Sequence, residues 1–131
     1  MKKLKVLVAD NQVVVRQQLL QELRKDEYIE IVGAVDNGKD AYEFLEFSAT
    51  RGDIADYVQL IVTDIEMPQM DGHHFTKKVK DHPGLAKLPI VIFSSLITDD
   101  LRHKGEQVGA VEQITKPEIA ELINKIDQHI L

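Results

Sequence analysis

Cysteine is absent from this chain of 131 residues. Its absence removes a disulfide framework and any thiolate-held metal, and it fits a reducing compartment such as the cytoplasm. A surplus of basic charge is missing as well: 16 Lys and Arg stand against 22 Asp and Glu, for a formal net charge of -6. Proteins that grip a phosphate backbone need the opposite sign, so nucleic acid is not expected as a direct partner. No apolar run approaches the ~20 residues of a membrane-spanning helix, so membrane insertion is not expected. The apolar stretch Leu4–Ala9 behind Met1-Lys2-Lys3 is too short for the hydrophobic region of a secretory signal and ends at Asp10. Neither G-x-x-x-x-G-K-[ST] nor G-x-G-x-x-G occurs, which leaves P-loop and Rossmann nucleotide binding without support.

What is present is 44% hydrophobic residues, enough for one continuous core in a single domain over residues 1–131. Short dense apolar runs alternate with longer stretches of helical spacing. Leu4–Ala9, Ile29–Val35, Gln59–Thr63, Pro89–Ser94 and Val111–Thr115 read as strands, mostly apolar on both faces as central parallel strands are. Between them Val15, Leu19 and Leu23 recur at helical spacing, as do Ala41, Leu45 and Ala49, and Ile119, Leu122, Ile123, Ile126 and Ile130 mark a last helix. Asn37-Gly38, Asp71-Gly72 and Pro83-Gly84 punctuate the pattern. The fold class is therefore α/β, a doubly wound (βα)5 domain with its site at the carboxyl ends of the strands. The stretch Thr50–Val58, broken by Arg51-Gly52-Asp53, is expected to be surface.

Four polar residues stand at or just past those carboxyl ends: Asp10, Asp64, Ser94 and Lys116. Singly, Asp10 suits a helix cap, Ser94 a buried hydroxyl and Lys116 a solvated charge. Asp64 resists a capping role, because Pro68 and Asp71-Gly72 separate it from the next helix. Two carboxylates brought together are most readily kept ionised by a divalent cation, and oxygen donors without imidazole or thiolate suit magnesium. A carboxylate in that setting is a nucleophile toward phosphorus, with an ammonium and a hydroxyl to meet the phosphoryl oxygens.

Val8-Ala9-Asp10-Asn11, Thr63-Asp64-Ile65-Glu66-Met67-Pro68-Gln69-Met70-Asp71-Gly72, Phe93-Ser94-Ser95 and Lys116-Pro117 together resemble response-regulator receiver domains, in order and over essentially the whole chain. The resemblance implies a CheY-like, flavodoxin-like sheet in the order 2-1-3-4-5. It implies Asp64 as phosphoacceptor, Asp10 and Asn11 in the acidic pocket, and Glu66 as a Mg2+ ligand through its backbone carbonyl. Ser94 becomes the switch hydroxyl, Lys116 the phosphate contact, and the Lys116-Pro117 bond cis. Such a domain is a switch rather than a turnover enzyme. In the back half, Ile92 to Leu96, Lys104-Gly105-Glu106, Gly109-Ala110, Gln113 and Lys116 to Ile119 resemble the receiver of CheV-type chemotaxis coupling proteins. That narrower resemblance implies a histidine kinase, CheA, as phosphodonor, with a CheW-like coupling module and a chemoreceptor array as further partners.

Two positions depart from the family pattern. Asn11 stands where a second acid is usual, which removes one negative charge and is expected to weaken magnesium binding while phosphorylation remains possible. Gln113 stands where many receivers carry a rotating aromatic, so switching is expected to rest on Ser94 and the Ser95–Asp100 loop, with an output face from Asp99–Val108 to Glu118–His129 that offers Lys104 and Glu106. His73-His74 is expected to be surface, since neighbours on a helix point about a hundred degrees apart and make no metal face. Two alternatives stay open. One is a pseudo-receiver that binds partners without phosphorylation because of Asn11. The other is a flavodoxin-like enzyme or phosphatase, which the missing cofactor loop disfavours.

Overall fold

The computed structural model describes residues 3–130, the last two by backbone alone. Strands and helices alternate as β1 (Leu4–Ala9), α1 (Val13–Arg24), β2 (Ile29–Val35), α2 (Gly38–Arg51), β3 (Leu60–Thr63), α3 (Gly72–Asp81), β4 (Ile90–Ser94), α4 (Asp99–Val108), β5 (Glu112–Thr115) and α5 (Ile119–Ile130). All strand pairs are parallel, and the sheet order is β2-β1-β3-β4-β5. This is the doubly wound sheet expected from the alternation.

Successive strand residues point to opposite faces, and each face has its own core. Val6, Val8, Leu60, Val62, Val91, Phe93 and Ile114 pack under Leu19 and Leu23 of α1 and Leu122 and Ile126 of α5. On the other face Leu7, Ala9, Ile61 and Ile90 meet Ala41 and Leu45 of α2 and Phe75 and Val79 of α3. α2, α3 and α4 start where short polar side chains accept the first free N–H groups. Asn37 Oδ1 accepts from Asp40, Asp71 Oδ1 from His74 and Thr98 Oγ1 from Leu101. Gly109, at φ 100°, ends α4 in the left-handed conformation that glycine tolerates.

The strand starts at Gln59, Pro89 and Val111 are each one residue early. Pro89 has no N–H to give a ladder, although its carbonyl accepts from Ile61 N–H. Thr50–Val58 is only partly surface. α2 continues through Arg51, a short 3-10 turn follows at Ile54–Asp56, and Val58 is fully buried in the second core. The polar break at residues 51–53 hid this apolar turn. Among the described residues, no helix is long and apolar enough to cross a membrane.

Candidate functional site

The strand order reverses between β1 and β3, and at such a reversal the connections diverge and leave a crevice beyond the carboxyl ends. Asp10 and Asp64 flank that crevice because Ala9 and Thr63 are register partners. Asp64 N–H donates to Ala9 O at 2.9 Å and Asp10 N–H to Val35 O at 3.0 Å, which continues the parallel ladder past both strands. Across the sheet, Ser94 pairs with Thr115 in register, and Lys116 N–H donates to Ser94 O at 2.8 Å. Residues far apart in sequence thus converge on one rim. The Lys116-Pro117 bond is cis, as expected.

Lys116 joins the two acids. Its ammonium lies 2.8 Å from Asp10 Oδ2 and 3.0 Å from Asp64 Oδ2, with all three side chains almost wholly buried. A third oxygen, Gln12 Oε1, accepts from the same nitrogen at 2.9 Å. Asp10 Oδ1 accepts from Gln12 N–H at 2.8 Å and Asp64 Oδ1 from Ile65 N–H at 2.7 Å. Burial pushes the Asp10 carboxyl above the usual carboxylate range, and the Asp64 charge adds a smaller push. The hydrogen bonds from Lys116 and Gln12 N–H pull the other way without overcoming burial. One cation between two buried anions leaves a net negative charge, which a further cation would relieve.

The loop after Asp64 is built to hold that carboxylate still. Thr63 Oγ1 donates to Asp64 O, and Gly72 N–H returns to Ile65 O at 2.7 Å, closing the loop on itself. A Cβ on Gly72 would fall onto the Asp64 carbonyl, so only glycine permits this closure. Gln69 takes a positive φ of 69° on the way round.

Of the remaining expected site residues, Ser94 is buried at the end of β4, while Asn11 and Glu66 are exposed on the loops after β1 and β3. Asp10 does not cap α1. The cap position is Gln12, without a side-chain bond to the helix, and Asp10 grips the Gln12 N–H instead. Gln12 itself was not singled out by sequence, since nothing local signals that a lysine 104 positions away reaches it. His73 is a correction: it is 2% exposed, with Nε2 unpartnered among the described residues, because α3 turns it inward beneath α4 while His74 faces out. Gln113 is also buried, and its Nε2 donates to Arg102 O at 2.8 Å.

Among the described residues no group of three or more His, Cys, Asp and Glu is placed to hold a metal. Two carboxylates already sharing one cation, with amide and carbonyl oxygens on adjoining loops, nevertheless form a hard-oxygen set of the kind magnesium takes when waters and phosphate oxygens complete its shell. The donor chemistry therefore fits that ion.

Comparison with known proteins agrees with this geometry. The family model for the response regulator receiver domain matches residues 6–127. Chemotaxis protein CheV3 of Helicobacter pylori is 33% identical over 113 residues, covering 85% of this chain and 36% of that protein. A protein-glutamate methylesterase/protein-glutamine glutaminase of Hydrogenovibrio crunogenus is 34% identical over 122 residues, 91% of this chain and 29% of that one. The chain thus spans about a third of these relatives, and the methylesterase name does not pass to it. In fold, it superimposes on the CheX-CheY-BeF3-Mg+2 complex of Borrelia burgdorferi with a TM-score of 0.84 at 20% identity, covering 99% of this chain and 91% of that one. With the switch-point crevice, the buried Asp10-Lys116-Asp64 arrangement and the match along nearly the whole length, the chain belongs to the response regulator receiver domains, similar in sequence to the CheV branch of chemotaxis.

Proposed function

We propose that the chain is a phospho-receiver that takes a phosphoryl group from a histidine kinase, CheA, onto Asp64 and then alters how its α4-β5-α5 face binds a protein. The observation that carries this reading is the Lys116 ammonium set between Asp10 and Asp64 at 2.8 and 3.0 Å. Asp64 needs no base, since an ionised carboxylate has no proton to lose. Its oxygen forms the new bond to phosphorus, the P–N bond to the donor histidine breaks, and that nitrogen leaves with the electron pair. Lys116 meets the charge on the transferred group, and the Ser94 hydroxyl turns toward it. Asp10, Asn11, Asp64 and the Glu66 carbonyl would hold Mg2+, which when bound neutralises charge on the transferring phosphoryl group.

The CheV3 relative, named as a chemotaxis protein, supports a place in chemotaxis signalling, and the proposal adds a CheW-like coupling module and a chemoreceptor array as partners and the cytoplasm as location. The CheX-CheY complex of Borrelia burgdorferi carries BeF3 and Mg+2, which supports the cofactor. Residues 1–131 act in this reading as one receiver unit that signals and at most phosphorylates and dephosphorylates itself.

Incubation with Mg2+ and a small phosphodonor tests the reading by intact mass. An added phosphoryl group is expected on the wild type and not on Asp64→Ala. An adduct that survives in Asp64→Ala overturns the assignment. No adduct even with kinase favours instead a pseudo-receiver, a reading that the exposed, neutral Asn11 supports.

A further inference from the structure

We propose that Gln12 is a positioning residue whose side chain holds Lys116 back, setting how readily the pocket accepts a phosphoryl group; this rests on the phosphoacceptor reading above. The Lys116 nitrogen has three oxygens within 3.0 Å, from Asp10, Asp64 and Gln12. An ammonium has three hydrogens and no more, so an incoming phosphoryl oxygen receives one only if a present partner lets go. The three partners differ in what release costs. Asp10 and Asp64 are 1% and 4% exposed, so letting go of Lys116, even with Mg2+ beside them, costs each a charge-assisted hydrogen bond that its buried surroundings do not replace. Gln12 is neutral and exposed, and its amide oxygen finds water as soon as it swings away. Gln12 is therefore the ligand that yields.

The same geometry makes the claim separable from folding. Gln12 N–H binds Asp10 Oδ1 at 2.8 Å and Gln12 O accepts from Arg16 N–H at 2.8 Å, and both are main-chain bonds that any side chain preserves. Its side chain makes no capping bond to α1, so truncation removes none. Among the described residues, the polar contact of that side chain is the one to Lys116.

Gln12→Ala removes the acceptor and opens space, whereas Gln12→Met removes the acceptor and keeps the length. Beryllofluoride serves as the phosphoryl mimic, titrated at saturating Mg2+, with Mg2+ alone titrated in parallel. Both variants are expected to bind beryllofluoride about 3- to 10-fold more tightly than wild type, the weight of one modest hydrogen bond. Their affinity for Mg2+ without the anion is expected to stay within about twofold. Unchanged beryllofluoride affinity in both variants overturns the proposal. So does tightening in Gln12→Ala alone, which would mean access rather than competition, or an equal shift in Mg2+ affinity, which would mean a general change of the pocket. If the wild type binds no beryllofluoride and gains no phosphoryl group, the phosphoacceptor reading falls first; if it does both and the variants match it, only the role of Gln12 falls.

Discussion

α3 and α4 are both ten-residue helices on the same side of the sheet, yet they are held in opposite ways. α3 buries Gly72, His73, Phe75, Thr76 and Val79, and its Phe75 and Val79 sit in the second core. α4 buries only Gly105. Its fastening is polar: Gln113 Nε2 to Arg102 O at 2.8 Å, Arg102 Nη1 to Gln113 O at 3.4 Å, and the caps at Thr98 and Gly109. The two buried side-chain atoms without a partner among the described residues, His73 Nε2 and Gln113 Oε1, belong to the residues on which α4 rests. Hydrophobic anchorage scales with buried area, while each polar contact adds only ~1 kcal/mol net. α3 is therefore a fixed wall of the fold, and α4 is the element a small change at the rim can displace. Couplings of about 1 to 3 kcal/mol, typical of ligand-driven switches, are large against such a seat.

The largest expected effect comes from breaking the wall. Phe75, fully buried, should cost about 3–5 kcal/mol when truncated to Ala. Leu101, half-buried on α4, should cost about 1 kcal/mol or less. Denaturant unfolding of both variants measures the contrast, and equal losses would show that α4 is as firmly built in as α3.

A smaller effect probes the α4 seat itself. A Cβ at Gly105 would fall on the Gln113 amide, which is confined by its bond to Arg102. Alanine is otherwise the better helix former by about 1 kcal/mol. Gly105→Ala should therefore destabilise the wild type by about 1 kcal/mol, since overpacking outweighs propensity. In a Gln113→Ala background the same change should stabilise by about 0.5–1 kcal/mol. A Gly105→Ala effect of the same sign in both backgrounds would mean that the amide does not set the spacing between α4 and β5.

The unequal anchorage of the helices was only half legible in the sequence. Strands and helices could be placed because Val and Ile runs alternate with helical spacing, and the meeting of Asp10, Asp64 and Lys116 followed from where parallel strands end. Val58 escaped because Arg51-Gly52-Asp53 interrupts the periodicity just before a buried turn. His73 escaped for a geometric reason. Adjacent helical residues diverge by about a hundred degrees, which rightly denied the pair a metal face but also allowed one of the two to point inward. Gln12 depends on the reach of a lysine from the far end of the chain, and no local pattern encodes that.

The smallest effect is a pH dependence at the seam between the two helices. The His73 imidazole lies under α4, and burial, then the Lys104 ammonium, push it below its ordinary 6.5; Asp71 and the Leu101 backbone pull weakly upward. In the unfolded chain the same imidazole takes its proton near its ordinary value. Between the two pKa values the unfolded state binds more protons, so folding stability is full above pH 6.5 and falls as pH drops toward the lowered folded value. His73→Leu keeps an apolar side chain of similar bulk under α4 and has nothing to protonate. Unfolding free energies of wild type and variant, measured from pH 8 down to 5, should run parallel above 6.5, and below it the wild type should lose more stability than the variant. All other titrating groups are shared and cancel in the difference. Parallel curves across the whole range would mean that His73 protonates as freely in the folded protein as in the unfolded chain, and that α4 yields to admit water to it.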